Sequence, residues 1–223
     1  MWGNLFSIII IVALLALIGI NPSDEIYRLD FSEIDKIKIE KLDLKNIKVI
    51  EEKIIDKDHC AFIYTDDTNG GYKGAIQVNG ESYYIGQVSM ENTPDHLMGI
   101  EETQVFEKKA VKFYGILGAN YVHSVYWLVA EKTEDAIFQI EGNTLETDLD
   151  DDGKIEIIAT TGTIPETRVY VLKDGKIVVA NINESMGAKS VSYDESYKLF
   201  EVYFDTNQLE LYVYQNESLI VRK

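Results

Sequence analysis

Residues 154–182 read KIEIIATTGTIPETRVYVLKDGKIVVANI, and the fold class is decided there. KIEIIA (154–159), RVYVL (168–172) and KIVVANI (176–182) are β-branched, apolar and too short for helices, so each reads as a strand. Between the last two stands Asp174-Gly175, a dipeptide that tolerates the two positive φ angles of a type I′ turn, so those strands pair as a hairpin. The same texture continues upstream in CAFIY (60–64), GAIQV (74–78), SYYIGQV (82–88), VKFYGIL (111–117), HSVYWLVA (123–130) and AIFQI (136–140). Downstream it recurs in KLFEVYF (198–204), LELYVY (209–214) and SLIV (218–221), and Asn79-Gly80 supplies a second type I′ signal. About a dozen short strands separated by tight turns predict an all-β fold of antiparallel meanders, either propeller-like, a partial propeller or a sandwich. Val125, Trp127 and Val129 share one strand face, as do Phe200, Val202 and Phe204. Leu209, Leu211 and Val213 lie opposite Glu210, Tyr212 and Tyr214. One face of each strand is therefore expected in the core and the other toward water. Only 93–109 breaks the pattern, where Thr93 and Pro94 fit the cap and first position of a short helix.

The 223 residues carry 38 acidic and 21 basic side chains, a net charge of −17. None of these lies in residues 1–20, so the charge belongs to the remainder, whose length can bury a sizeable core without disulfides. So acidic a domain repels nucleic acid and anionic head groups and attracts cations. The run LFSIIIIVALLALIGI (5–20), extended to Trp2, is long enough at about 1.5 Å per residue to span a hydrocarbon core. Its exit, Leu17-Ile18-Gly19-Ile20-Asn21-Pro22, lacks the small-x-small pair of a cleaved signal peptide, so residues 1–20 read as an uncleaved transmembrane signal anchor. Arg28, Lys36 and Lys38 follow the run, but long domains cross largely regardless of charge, and the domain is assigned to the outside of the cell membrane. Residues 21–35 then read as a polar tether, and 36–223 as one extracytoplasmic β domain.

The strongest local signal is ETDLDDDGKIEIIA (146–159). Asp148, Asp150 and Asp152 alternate, Gly153 permits a sharp reversal, and Glu156 follows. A hard cation such as Ca²⁺ takes six to eight oxygens, which positions 1, 3, 5 and 9 plus the carbonyl of position 7 can supply; Lys154 provides that carbonyl. Six carboxylates fall within the eleven residues 146–156. At about 5 Å and an effective dielectric near 20, each like-charge pair costs roughly 3 kcal/mol before screening, which a divalent ion removes. An EF-hand does not fit, because its twelfth position needs a bidentate Glu where this chain has Ala159, and because the Ile155, Ile157, Ile158 run is β rather than helical. The acidic turn TDDTNGG (65–71) lacks the carboxylate at the ninth position and is read as a turn.

The pattern DxDxDGxxEI, followed by a strand and by the hairpin VYVLKDGKIVV, resembles the calcium loop of FG-GAP/VCBS repeats, the units of integrin-type β-propellers. The likeness runs over about residues 110–182, within a portion extending to 223. It implies Ca²⁺ held between blade strands and a role in extracellular adhesion or recognition. By position it carries over to Asp148, Asp150, Asp152, Lys154 through its carbonyl, and Glu156. Glu stands where the family usually has Asp at the ninth position, the Phe-Gly and Gly-Ala-Pro landmarks are missing, and the loop occurs once.

Catalytic signals are sparse. His59, His96 and His123 lack mutual metal-ligand spacing, and no GxSxG, P-loop or HExxH motif occurs. Cys60 opens an apolar strand and reads as a small hydrophobe. The fourteen Tyr and two Trp suit a sugar-stacking platform as well as ordinary strands. The expectation is a non-enzymatic cell-surface module with a structural Ca²⁺ loop, binding protein or glycan. An envelope hydrolase using His96 or His123 is the alternative.

Overall fold

The computed structural model describes residues 25–35, 37–67, 70–118, 121–129 and 136–222. The apolar run of residues 1–20, read as a membrane anchor, lies outside them. Among the described residues no helix is long and apolar enough to cross a membrane.

Among the described residues the fold is all-β, built from four antiparallel sheets. The described chain opens with a strap of three short strands, β1 (Ile26–Arg28), β2 (Phe31–Glu33) and β3 (Glu40–Lys41). Four meanders follow in order. The first is β4 (Ile47–Ile54), β5 (His59–Asp66), β6 (Tyr72–Val78) and β7 (Glu81–Ser89). The second is β8 (Gly99–Val105), β9 (Lys108–Gly118), β10 (Tyr121–Leu128) and β11 (Ile137–Glu141). The third is β12 (Asn143–Thr147), β13 (Glu156–Thr161), β14 (Glu166–Lys173) and β15 (Lys176–Asn181). The fourth is β16 (Ser190–Asp194), β17 (Leu199–Asp205), β18 (Gln208–Gln215) and β19 (Ser218–Val221). A single α-helical turn, α1 (Ile182–Met186), joins the last two; Asn181 caps it by accepting from the Glu184 amide.

Local chemistry explains the hairpins. Asn79 and Gly80 take φ of 52° and 82°, and Asp174 and Gly175 take 50° and 77°, the two positive angles expected at both turns. The strap ties separate sheets together: β1 pairs with β19, β2 with β15 and β3 with β7. Residues 26–33, which the composition suggested as tether, are thus edge strands of the domain. The physical reason is the alternation of Tyr27, Leu29 and Phe31 between charged neighbours, which gives the strap an inward face; Leu29 is buried in the same core as Val191 and Phe200.

The sheets bury their faces in chain order. One core joins Ile63 and Ile76 of the first sheet, Val111, Trp127 and Phe138 of the second, and Ile157, Ala159 and Tyr170 of the third. A separate core joins Ile158, Val169 and Val171 of the third sheet to Phe200, Val202 and Tyr212 of the fourth. Adjacent residues of β13 and β14 therefore point into different cores, which is why residues 157–159 and 169–172 are apolar without interruption. No closed propeller is formed among the described residues.

Several strand readings change. In β10 both faces are buried from His123 to Leu128, because the second sheet lies between two others. In β18 it is Tyr212 and Tyr214 that enter the core while Leu209 is 45% exposed. The Tyr212 hydroxyl donates to Glu210 at 2.6 Å and its ring meets Tyr27 edge-on, so neither end of the side chain is left unsatisfied. Residues 93–109 hold only a 3₁₀ turn, Asp95–Leu97, before β8 begins at Gly99. The charges that masked this strand, Glu101 and Glu102, are both exposed, and Glu102 pairs with Lys109 across the hairpin at 2.8 Å.

The first two sheets approach so closely at β7 and β9 that a Cβ on Gly115 would stand 2.2 Å from the Val88 carbonyl oxygen. Gly115→Ala is therefore expected to destabilise the fold by about 1–3 kcal/mol through overpacking. Gly118→Ala, whose added carbon would meet only ordinary contact at 3.7 Å, should leave the urea midpoint within experimental error. Denaturation of the two variants beside wild type checks the difference.

Candidate metal centre

Loop 148–155 joins β12 to β13 and is closed at its base by the Thr147–Glu156 pair. Leu149 anchors it, 4% exposed, in the core between the third and fourth sheets. The loop turns through two left-handed residues, Asp151 (φ 58°) and Gly153 (φ 88°). Asp148 holds the turn by accepting the amides of Asp152 at 3.1 Å and Gly153 at 2.9 Å.

Three carboxylates converge. Asp148, Asp150 and Glu156 each offer an oxygen within 4.8 Å of the others. Glu156 is buried, 7% exposed, and accepts the Leu149 amide at 3.1 Å. Asp150 accepts the Asn216 amide at 3.1 Å through Oδ2, while its Oδ1 is buried with no hydrogen-bond donor among the described residues. Asp152 stands outside this group: Lys154 donates to it from both its amide, at 2.8 Å, and its ammonium. That contact holds the Asp152 carboxyl below its usual range and the Lys154 ammonium above its own. Of the four carboxylates selected by spacing, the structure thus gathers Asp148, Asp150 and Glu156, while Asp152 pairs with the side chain of Lys154, whose carbonyl was the fifth expected ligand.

The centre lies where three sheets meet. The β8–β9 turn donates the Phe106 amide to the Ile155 carbonyl at 2.8 Å, and the β18–β19 turn supplies Asn216. From the fourth sheet Lys198 reaches the Asp148 carbonyl at 3.0 Å and Asp151 at 2.5 Å. A cleft of about 200 Å³ opens here, lined by Asp150, Asp152 and Glu156 and also by Glu107 and Glu217. The last two come from hairpin turns distant in sequence, and no motif pointed to them. They sit in left-handed turns with φ of 60° and 61°, beside Phe106 and Asn216 at 54° and 48°, and lack the Gly that marks such turns in a sequence.

The donor set is all oxygen, which suits a hard cation. The fit shows at Asp150, where a buried acceptor without a donor is the atom a cation satisfies. Burial, reinforced by Asp150, Asp152 and Asp148, pushes the Glu156 carboxyl up to about 7 despite the Leu149 amide.

The other candidates do different work. His123 is 2% exposed, its Nε2 at 3.2 Å from the Val88 carbonyl, and burial lowers its pKa. His59 stands 2.9 Å from Asp56. Burial pushes the half-buried Cys60 thiol up to about 11, which suppresses the thiolate. In the acidic turn 65–71, Asp66 pairs with Lys73 at 2.7 Å. Compared with protein-family models, with curated proteins and with solved structures, the chain matches none.

A carboxyl whose pKa rises from 4.5 to about 7 on folding keeps a proton that the unfolded chain has already released. Between those pH values the metal-free protein should therefore lose stability as pH rises, by up to about 3 kcal/mol from this group. Glu156→Gln should remove that slope, leaving the His123 contribution, which has the opposite sign. Chemical denaturation in chelator from pH 4.5 to 8 checks it; parallel curves for wild type and variant would contradict the assignment.

Proposed function

We propose that this chain is a membrane-anchored, extracytoplasmic β module in which Ca²⁺, held by Asp148, Asp150 and Glu156, fixes the junction of three sheets. The module presents its surface to a protein or glycan at the cell envelope. The observation that carries this reading is the convergence of three carboxylates within 4.8 Å, one of which, Asp150, has a buried oxygen without a donor among the described residues. A bound divalent ion would satisfy Asp150 and offset the repulsion that raises Glu156. Through Asn216 and the Phe106 amide it would also stiffen the contacts between sheets.

The likeness to FG-GAP/VCBS loops favours calcium, and the succession of four-stranded meanders stacked in chain order supports a partial-propeller reading of the architecture. Anchoring rests on the apolar run 1–20. Extracellular calcium modules bind at about 10⁻⁴–10⁻³ M. At one to ten times that concentration the ion adds about 0.4–1.4 kcal/mol, as suits a structural cation. So weak a site belongs outside the cell, where free Ca²⁺ is high enough to fill it.

Calorimetric titration of the full chain in detergent with CaCl₂ tests the proposal. Wild type should take up one ion and gain thermal stability. Asp150→Asn combined with Glu156→Gln should abolish the heat, whereas Asp152→Asn, outside the converging group, should weaken binding only a few-fold. Equal heats from wild type and the double variant would overturn the reading.

A further inference from the structure

An unassigned feature is a cleft of about 550 Å³ between the second and third sheets, within the range of small-molecule and short-oligomer sites. It stands at the opposite end of β12 and β13 from the cation loop: Asn143 pairs with Thr160 at the cleft, Thr147 with Glu156 at the loop. The two ends are about 13 Å apart at the rise of a strand. A ligand in the cleft would therefore not touch the ion.

The lining limits what fits. Tyr121 supplies the largest ring surface, 38% exposed, and its hydroxyl donates to Glu141 at 2.7 Å. Glu166 is held by Arg168 and by the Asn181 amide group at 3.1 Å. Thr161 and Thr163 add hydroxyls. Two carboxylates against one guanidinium repel an anion. Beyond the Tyr121 ring the wall is too polar for a lipid. Each carboxylate already accepts from a protein donor, which fixes its orientation and weakens its demand for a full positive charge. What remains is a rigid set of acceptors and hydroxyls beside an exposed aromatic ring, the arrangement that matches a neutral ligand with many hydroxyls and an apolar ring face.

We propose that this cleft binds a short stretch of uncharged oligosaccharide, with a sugar ring against Tyr121 and its hydroxyls on Glu141, Glu166 and Thr161. The inference rests on the surface-module reading above and names its ligand class and site. It makes recognition the work of the second and third sheets, and leaves the ion to hold the far end of the third.

The test titrates the full chain in detergent, with CaCl₂ present, against three neutral tetrasaccharides: chitotetraose, cellotetraose and maltotetraose. Tetralysine and trigalacturonate serve as cationic and anionic counterparts, and binding is followed by tyrosine and tryptophan fluorescence and by calorimetry. At least one neutral tetrasaccharide should bind, and Tyr121→Ala should weaken it about 3–10-fold, the worth of a lost ring contact. Tyr121→Phe should retain most of the affinity. Thr163→Trp, which adds bulk at an exposed turn on the cleft wall without removing a core contact, should abolish binding and guards against a Tyr121→Ala protein that fails to fold. No binding by any neutral probe, a tighter response to tetralysine or trigalacturonate, or full affinity in Thr163→Trp overturns the proposal. Calcium heats from the same samples separate the two readings: calcium binding without sugar binding sinks the cleft alone, and sugar binding without calcium binding sinks the cation loop alone.

Discussion

A β-sheet has two faces, and in this chain the third sheet must bury both. Ile157 and Tyr170 pack toward the second sheet, Ile158 and Val169 toward the fourth. Everything else in the arrangement follows from that demand. The strands of this sheet cannot carry the polar alternation of a half-solvated sheet, and polar groups are displaced to its ends. One end becomes the acidic loop, the other the threonine-lined cleft. Because neighbouring sheets press against both faces, their hairpin turns arrive at the acidic loop from either side, with Phe106 and Glu107 from the second sheet and Asn216 and Glu217 from the fourth.

That constraint also explains how much of the molecule was legible in the sequence. Short stretches rich in β-branched and aromatic residues, such as HSVYWLVA and KIEIIA, announce strands whether one face or two is buried, so strand content was clear. Which sheet receives which face is a tertiary matter, and β10 and β18 show the consequence: Tyr126 and Tyr212 are fully buried although their alternation suggested a wetter side. The strap was hidden for another reason. Three-residue strands carry too few residues for periodicity to emerge, and Arg28, Asp30 and Glu33 dominate the composition of a segment whose inward residues are Tyr27, Leu29 and Phe31.

The acidic loop was legible where its chemistry is local and illegible where it is not. Alternate aspartates, a glycine and a later carboxylate lie within one window, and three of them do meet. Spacing alone could not assign Asp152, since its nearest cation is Lys154 two residues on, and the short path to that ammonium competes with the longer one to the common centre. Nor could it reveal Glu107 and Glu217, because hairpin turns built on Phe106-Glu107 and Asn216-Glu217 have none of the glycine signals from which left-handed turns are read.

Holding the two ends of the third sheet in register requires more than apolar contact, which is non-directional and tolerates sliding. Between the second and third sheets the structure adds a polar network to the shared core. Lys112 pairs with Glu146 at 3.0 Å, the buried Tyr126 hydroxyl donates to the same carboxylate, and Ser124 meets Thr144 at 3.2 Å. Displacing one sheet along the other would strand an ammonium and a carboxylate that are each mostly buried, a loss of several kcal/mol against a few tenths for sliding methyl groups. Glu146 and Thr144 lie on β12, midway between cleft and loop. The network therefore pins the strand whose two ends carry the two sites. A cation that stiffens one end would act on the other only through this fixed register, so in the proposed function the acidic loop is a support for recognition rather than a part of it.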